Sequence, residues 1–134
     1  MQTTILNKDQ MHIVKEQDVV PFRSRVRDYA VKIGMGIVNQ TKLITAASEI
    51  ARNMLIYAKG GMTSIEVINQ GSDTGIRLTF TDKGPGIKDV KIAMKDGFST
   101  GKSLGLGLPG AKRLVSTFDI QSTVGKGTTI TIIK

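Results

Sequence analysis

Apolar and polar positions change period along the chain, and each change marks an element. Residues 11–15 alternate weakly and predict a first strand. Asp18 suits a helix N-cap, and Pro21 then falls in the first turn, where its missing N–H costs nothing. Phe22, Val26, Tyr29, Ala30 and Ile33 recur at helical spacing, and Gly34 and Gly36 stop that helix. Asn39 can cap a second helix to about residue 58, with an apolar stripe of Leu43, Ala47, Ile50, Ala51, Met54 and Ala58. Gly60 and Gly61 end it.

Ile65 and Val67 mark a second strand, and residues 71–75 read as a turn. Ile76, Leu78 and Phe80 then alternate with Arg77, Thr79 and Thr81, a third strand. Residues 82–110 are rich in glycine, with one short helical stretch near 90–95. A further helix fits 106–117. Strands at 118–124 and 128–133 are joined by Gly125-Lys126-Gly127, a hairpin signal. The order β-α-α-β-β-α-α-β-β, with tight turns between neighbouring strands, predicts an α+β fold. The expected form is a two-layer α/β sandwich, its mostly antiparallel mixed sheet carrying helices on one face, in a single domain over residues 1–134.

Composition narrows the chemistry. The 134 residues can bury one core without staples. There is no cysteine, so disulfides and thiolate metal sites are excluded, and the single His12 reads as an ordinary strand residue. No run approaches the roughly 20 apolar residues of a membrane span. Residues 1–10 hold no apolar signal-peptide region. The expectation is a cytoplasmic protein without a membrane partner. The formal net charge of +8 suggests anionic partners. Nucleic acid is not expected, because basic residues are scattered, aromatics are 4% and tryptophan is absent. Arg23, Arg25, Arg27 and Lys32 read as a solvated helix face, or else as a docking face for an acidic partner.

Glu49 and Asn53 lie four apart on the second helix, about 40° apart around its axis. The spacing fits a surface pair or a site for metal and proton transfer. An amide oxygen suits Mg²⁺, and a nearby glutamate can accept a proton. Asp82 shares parity with Ile76, Leu78 and Phe80. It faces inward if the strand continues, and opens the turn if the strand stops one residue early. An inward carboxylate could accept from an exocyclic amine, and Gly84 and Gly86 would let backbone approach a flat ligand. Thr128 shares parity with Ile130 and Ile132. It either lines the same pocket or only reflects β-propensity.

The segment 97–110, Gly-Phe-Ser-Thr-Gly-Lys-Ser-Leu-Gly-Leu-Gly-Leu-Pro-Gly, leads into a helix. Flexible backbone before a helix N-terminus suits phosphate, with Lys102 adding charge; the bland alternative is a solvated loop. Two decoys lie within it. Gly101-Lys102-Ser103 resembles the end of a P-loop, but the required earlier glycine falls on Asp96. Residues 105–110 satisfy G-x-G-x-x-G, yet no strand leads into them and no acidic residue lies near the ribose-binding offset.

Together these residues resemble GHKL (Bergerat-fold) ATPases. Glu49-Ile-Ala-Arg-Asn53 looks like the N-box, Asp82-Lys-Gly-Pro-Gly86 like the adenine-binding box, and residues 105–110 like the second glycine box. Thr128 falls where that family places its late threonine. Residues 47–53, 96–100 and 104–110 are most similar to RsbT-type switch kinases, which resemble anti-sigma factor kinases.

The resemblance implies ATP and Mg²⁺ as cofactors, with Glu49 as general base and Asn53 as magnesium ligand. It implies that Asp82 reads the adenine amine with Thr128 assisting, and that Gly84 and Gly86 give the base room. Ser99, Thr100, Gly101, Lys102 and Ser103 would form a short lid. Gly105, Leu106, Gly107 and Leu108 would hold phosphate at the helix start. The implied activity is serine/threonine phosphorylation of a STAS-domain antagonist, with a downstream phosphatase or other output regulator as a second partner. A nucleotide-gated binding module and a direct anti-sigma factor stay open as alternatives. The chain departs from anti-sigma factors at Met54-Leu-Ile-Tyr57-Ala58, where those proteins carry a His-Ala-Tyr-like stretch.

Overall fold

The computed structural model describes residues 2–86 and 107–134. The helical stretch expected near 90–95 and the loop residues 97–106 lie outside the described residues. The elements run β1 (Thr3–Ile13), a 3-10 turn (Glu16–Asp18), α1 (Val19–Lys32), α2 (Ile37–Ala58), β2 (Gly61–Gln70), β3 (Asp73–Asp82), α3 (Gly107–Leu114), β4 (Thr117–Thr123) and β5 (Gly127–Ile133). The described strands form one sheet in the order β1-β2-β3-β5-β4, every pairing antiparallel.

Strand parity sets the layers. On β3, Ile76, Leu78 and Phe80 are buried while the residues between them are not. Their register partners, Val67 and Ile65 on β2 and Ile132 and Ile130 on β5, lie on the same face. α1 and α2 cover that face. Phe22 of α1 meets Phe80 edge-on, ring centroids 5.7 Å apart. α2 turns Leu43, Ala47, Ile50, Ala51 and Met54 into the core and packs against both α1 and α3. The opposite face is more polar, with Glu66 paired to Arg77 across β2 and β3 at 2.8 Å.

Several boundaries differ from the sequence expectation, each for a local reason. β1 begins at Thr3, not near residue 11. It is an edge strand held by backbone pairing to β2, so most of its side chains stay in water and leave no alternating signature. Asp18 does not cap α1 with its side chain; its carboxylate accepts from the N–H groups of Val14 and Lys15, tying β1 to the helix. α2 starts at Ile37 because Gly36 adopts the extended N-cap conformation and Gln40 N–H bonds its carbonyl, leaving Asn39 inside the first turn. The turn after β2 is only Gly71-Ser72, with Gln70 already facing Asp73. α3 ends at Leu114, and Thr117 opens β4.

The end of α2 is the least expected. The left-handed residue is Lys59, at φ 61°, not a glycine. The two glycines that follow are needed elsewhere. A Cβ on Gly60 would strike Ile13 backbone, and one on Gly61 would strike the Thr81 carbonyl. Lys59 therefore takes the strained position, where its charge suits the helix C-terminus. Lys59→Gly is expected to stabilise the fold by roughly 0.5–1 kcal/mol in chemical denaturation, whereas Lys59→Ala, which keeps the Cβ, gains nothing.

A polar cluster joins β1 to α1. Asp9 Oδ2 accepts from Arg25 Nη1 at 2.6 Å and from the Tyr29 hydroxyl at 3.2 Å. The Arg25 guanidinium holds the Asp9 carboxyl below its ordinary value of 3.8, against an opposing push from burial. A depressed native pKa adds stability above the ordinary carboxylate range, and that contribution is lost as pH falls through the native value. The stability gap between wild type and Asp9→Asn should hold constant near neutral pH and close below pH 3.8, as followed by urea titrations across pH.

Candidate functional site

The site forms where the end of β3 meets α2 and the β4–β5 hairpin. β3 continues through Asp82, which pairs with Thr128 of β5. Asp82 thus extends the inward row of Ile76, Leu78 and Phe80 and is half-buried. Its Oδ1 accepts from the Gly84 N–H at 2.9 Å, an Asx-type turn that fixes the carboxylate and leaves its second oxygen outside this bond.

Gly84 sits hard against the last turn of α2. A Cβ there would lie 2.5 Å from the Ala58 Cβ. Gly86, at φ 77°, passes beside the Thr123 carbonyl, and the neighbouring Pro85 carbonyl accepts from Gly125 N–H at 2.9 Å. The 82–86 loop is therefore held between helix and hairpin. Thr128 is buried at 8% exposure, and its hydroxyl lies 2.8 Å from that of Ser122 on β4.

α2 links this end to a second one. Glu49 lies nine residues, about 13 Å of helix rise, before Ala58. It is buried at 7% exposure, and its Oε2 accepts from the Gly107 N–H at 3.3 Å. Gly107, at φ 67°, is the first residue of α3, so the carboxylate caps a helix N-terminus. Asn53, half-buried, stands one turn beyond Glu49 on the way to Ala58. Leu108 points into the core. Ser99, Thr100, Gly101, Lys102, Gly105 and Leu106 lie outside the described residues. Among the described residues no three metal-ligating side chains converge.

The structure thus brings Asp82, Gly84, Gly86 and Thr128 together at one end of α2, and Glu49 with Gly107 in its middle. Four participants were missed from sequence. Ala58 was read only as apolar stripe, though its small size is what admits Gly84. Gly61 and Gly127 were read as helix stop and turn, yet a Cβ on either would collide with backbone at Thr81 or Asp82. Ser122 could have been found by parity, since it shares a face with Phe118 and Ile120 and is paired with Thr128 once the hairpin register is set.

This geometry has relatives. Residues 38–134 match the family described as histidine kinase-, DNA gyrase B-, and HSP90-like ATPase. The chain is 43% identical over 124 residues to the serine/threonine-protein kinase RsbT of Bacillus subtilis (strain 168), spanning 92% of this chain and 93% of that protein. It is 29% identical over 124 residues to an anti-sigma F factor of Caldanaerobacter subterraneus subsp. tengcongensis, spanning 90% and 87%. Its fold matches a chain in the crystal structure of the SiaB-SiaC complex from Pseudomonas aeruginosa with a TM-score of 0.69 at 11% identity, over 97% of this chain and 89% of that one. The chain belongs to the histidine kinase-, DNA gyrase B-, and HSP90-like ATPase family, and within it to the group of RsbT-like serine/threonine-protein kinases.

Proposed function

We propose that this protein uses ATP and Mg²⁺ to phosphorylate a serine or threonine of a STAS-domain antagonist, and that it switches between this substrate and a downstream output regulator such as a phosphatase. The observation that carries the ATP site is the cross-strand pair of Asp82 and Thr128, turned inward beside glycines too close to α2 and the end of β4 to carry side chains. The site suits a flat ring with an exocyclic amine. Acceptor groups stand at its floor, and Gly84 and Gly86 leave backbone where side chains would block it.

Each residue then has a task. Asp82 accepts the adenine amine through the oxygen not engaged by Gly84. At the start of α3, Gly107 gives its N–H to Glu49 and so seats the turn, and the Leu108 N–H is the one offered to phosphate, while the Leu108 side chain anchors that turn in the core. Asn53 would hold magnesium by its amide oxygen, and the cation would supply charge neutralisation at the phosphates.

Bound ATP·Mg²⁺ supplies the transferable γ-phosphoryl group and the cation that neutralises it. Glu49 takes the proton from the partner's hydroxyl as that oxygen bonds to phosphorus and ADP departs. Burial beside Gly107 fixes where that proton can go. Most of the acceleration comes from positioning and charge neutralisation.

The decisive experiment combines the protein, labelled ATP and a purified STAS-domain partner. Label on a partner serine or threonine supports the kinase. Nucleotide-dependent co-elution without label replaces it with a binding module. Glu49→Gln should keep ATP affinity but lose phosphoryl transfer by roughly 100-fold or more; retained transfer removes Glu49 as the base. Asp82→Asn should weaken ATP binding by roughly 10–100-fold in calorimetry, and an unaltered affinity breaks the adenine assignment.

A further inference from the structure

We infer that Ser122 is a positioning residue. It sets the direction of the Thr128 hydroxyl and so makes the pocket select a purine with an amine at C6 over one with a carbonyl there. The inference rests on the ATP-site reading above. Asp82, Thr128 and Ser122 stand side by side on β3, β5 and β4, in one cross-strand row.

The direction follows from counting protons. A serine hydroxyl has one to give. Ser122 Oγ donates to the Gly127 carbonyl at 3.2 Å, and a carbonyl can only accept. Ser122 Oγ also lies 2.8 Å from Thr128 Oγ1. With the serine proton on the carbonyl, the threonine must donate in this second bond. Thr128 then presents only lone pairs to its other neighbours.

Gly127 makes the arrangement possible. At φ 122° it brings β5 so close to Asp82 that no Cβ fits, and its carbonyl is left facing Ser122. On the other side of Thr128, the Asp82 carboxylate also accepts only. The floor of the pocket therefore holds two acceptors. An amine with two N–H groups satisfies both, whereas a carbonyl oxygen would face two lone-pair donors in a place where Thr128 is shielded from water. Selectivity of this kind comes from the penalty on the wrong ligand.

Calorimetry on the full chain with magnesium and non-hydrolysable ATP and GTP analogues tests this. Ser122→Ala frees the threonine proton to turn toward the pocket, and the ATP-to-GTP affinity ratio should fall roughly three- to tenfold. Ser122→Thr, which keeps a hydroxyl, should preserve the ratio. In a Thr128→Val background, Ser122→Ala should leave it unchanged. An unaltered ratio in Ser122→Ala, or an equal fall in both backgrounds, overturns the inference. If ATP binding still depends on Asp82 while the ratio is unmoved, only the Ser122 role falls. A wild-type chain that binds neither nucleotide overturns the ATP-site reading along with it.

Discussion

The site depends on one constraint: the end of β3 is clamped by backbone, with no room for side chains. Gly61, Gly84 and Gly127 converge on the two residues Thr81 and Asp82 and on the last turn of α2. A methyl group at any of them would meet backbone or the Ala58 Cβ. This close approach lets a carboxylate continue the apolar row of β3 and still reach the edge of the core. It also sets how the 82–86 loop leaves the sheet. Packing elsewhere tolerates change, because buried leucines and isoleucines can shift slightly; three glycines pressed against Thr81, Asp82 and Ala58 cannot gain a side chain without moving a strand or helix.

Much of this was legible in the sequence where burial and periodicity coincide. The inward residues of β3 and the buried stripe of α2 fall at their expected spacing because each element has one wet face and one dry one. The inward parity of Asp82 and Thr128 was readable for the same reason. β1 was only partly legible. Its hydrogen bonds are made by backbone, and backbone pairing leaves no mark on side-chain type. Lys59 in a left-handed conformation was also out of reach, since the pressure on it comes from contacts made by the next two glycines with strands distant in sequence. The Asp18 contacts failed for a related reason. A capping residue can serve the chain before it or after it, and local sequence does not say which.

Charge shows a division of labour. Asp9, Glu16 and Glu66 are each paired with an arginine. Asp18, Glu49 and Asp82 accept backbone N–H groups. Most of the described carboxylates are thus committed to structure or to the site, while lysines such as Lys32, Lys42 and Lys112 stay exposed. The surplus positive charge therefore resides at the surface, where it acts at range on approaching anions without contributing to the fold. It fits both a polyphosphate ligand and an acidic protein partner, and distinguishes neither.

The contact between Glu49 and Gly107 ties two tasks to one strut. The residue assigned to receive a proton leans on the first peptide of the helix assigned to receive phosphate. Displacement of that peptide alters the orientation of the carboxylate, so misplaced phosphate and misdirected proton transfer become the same event.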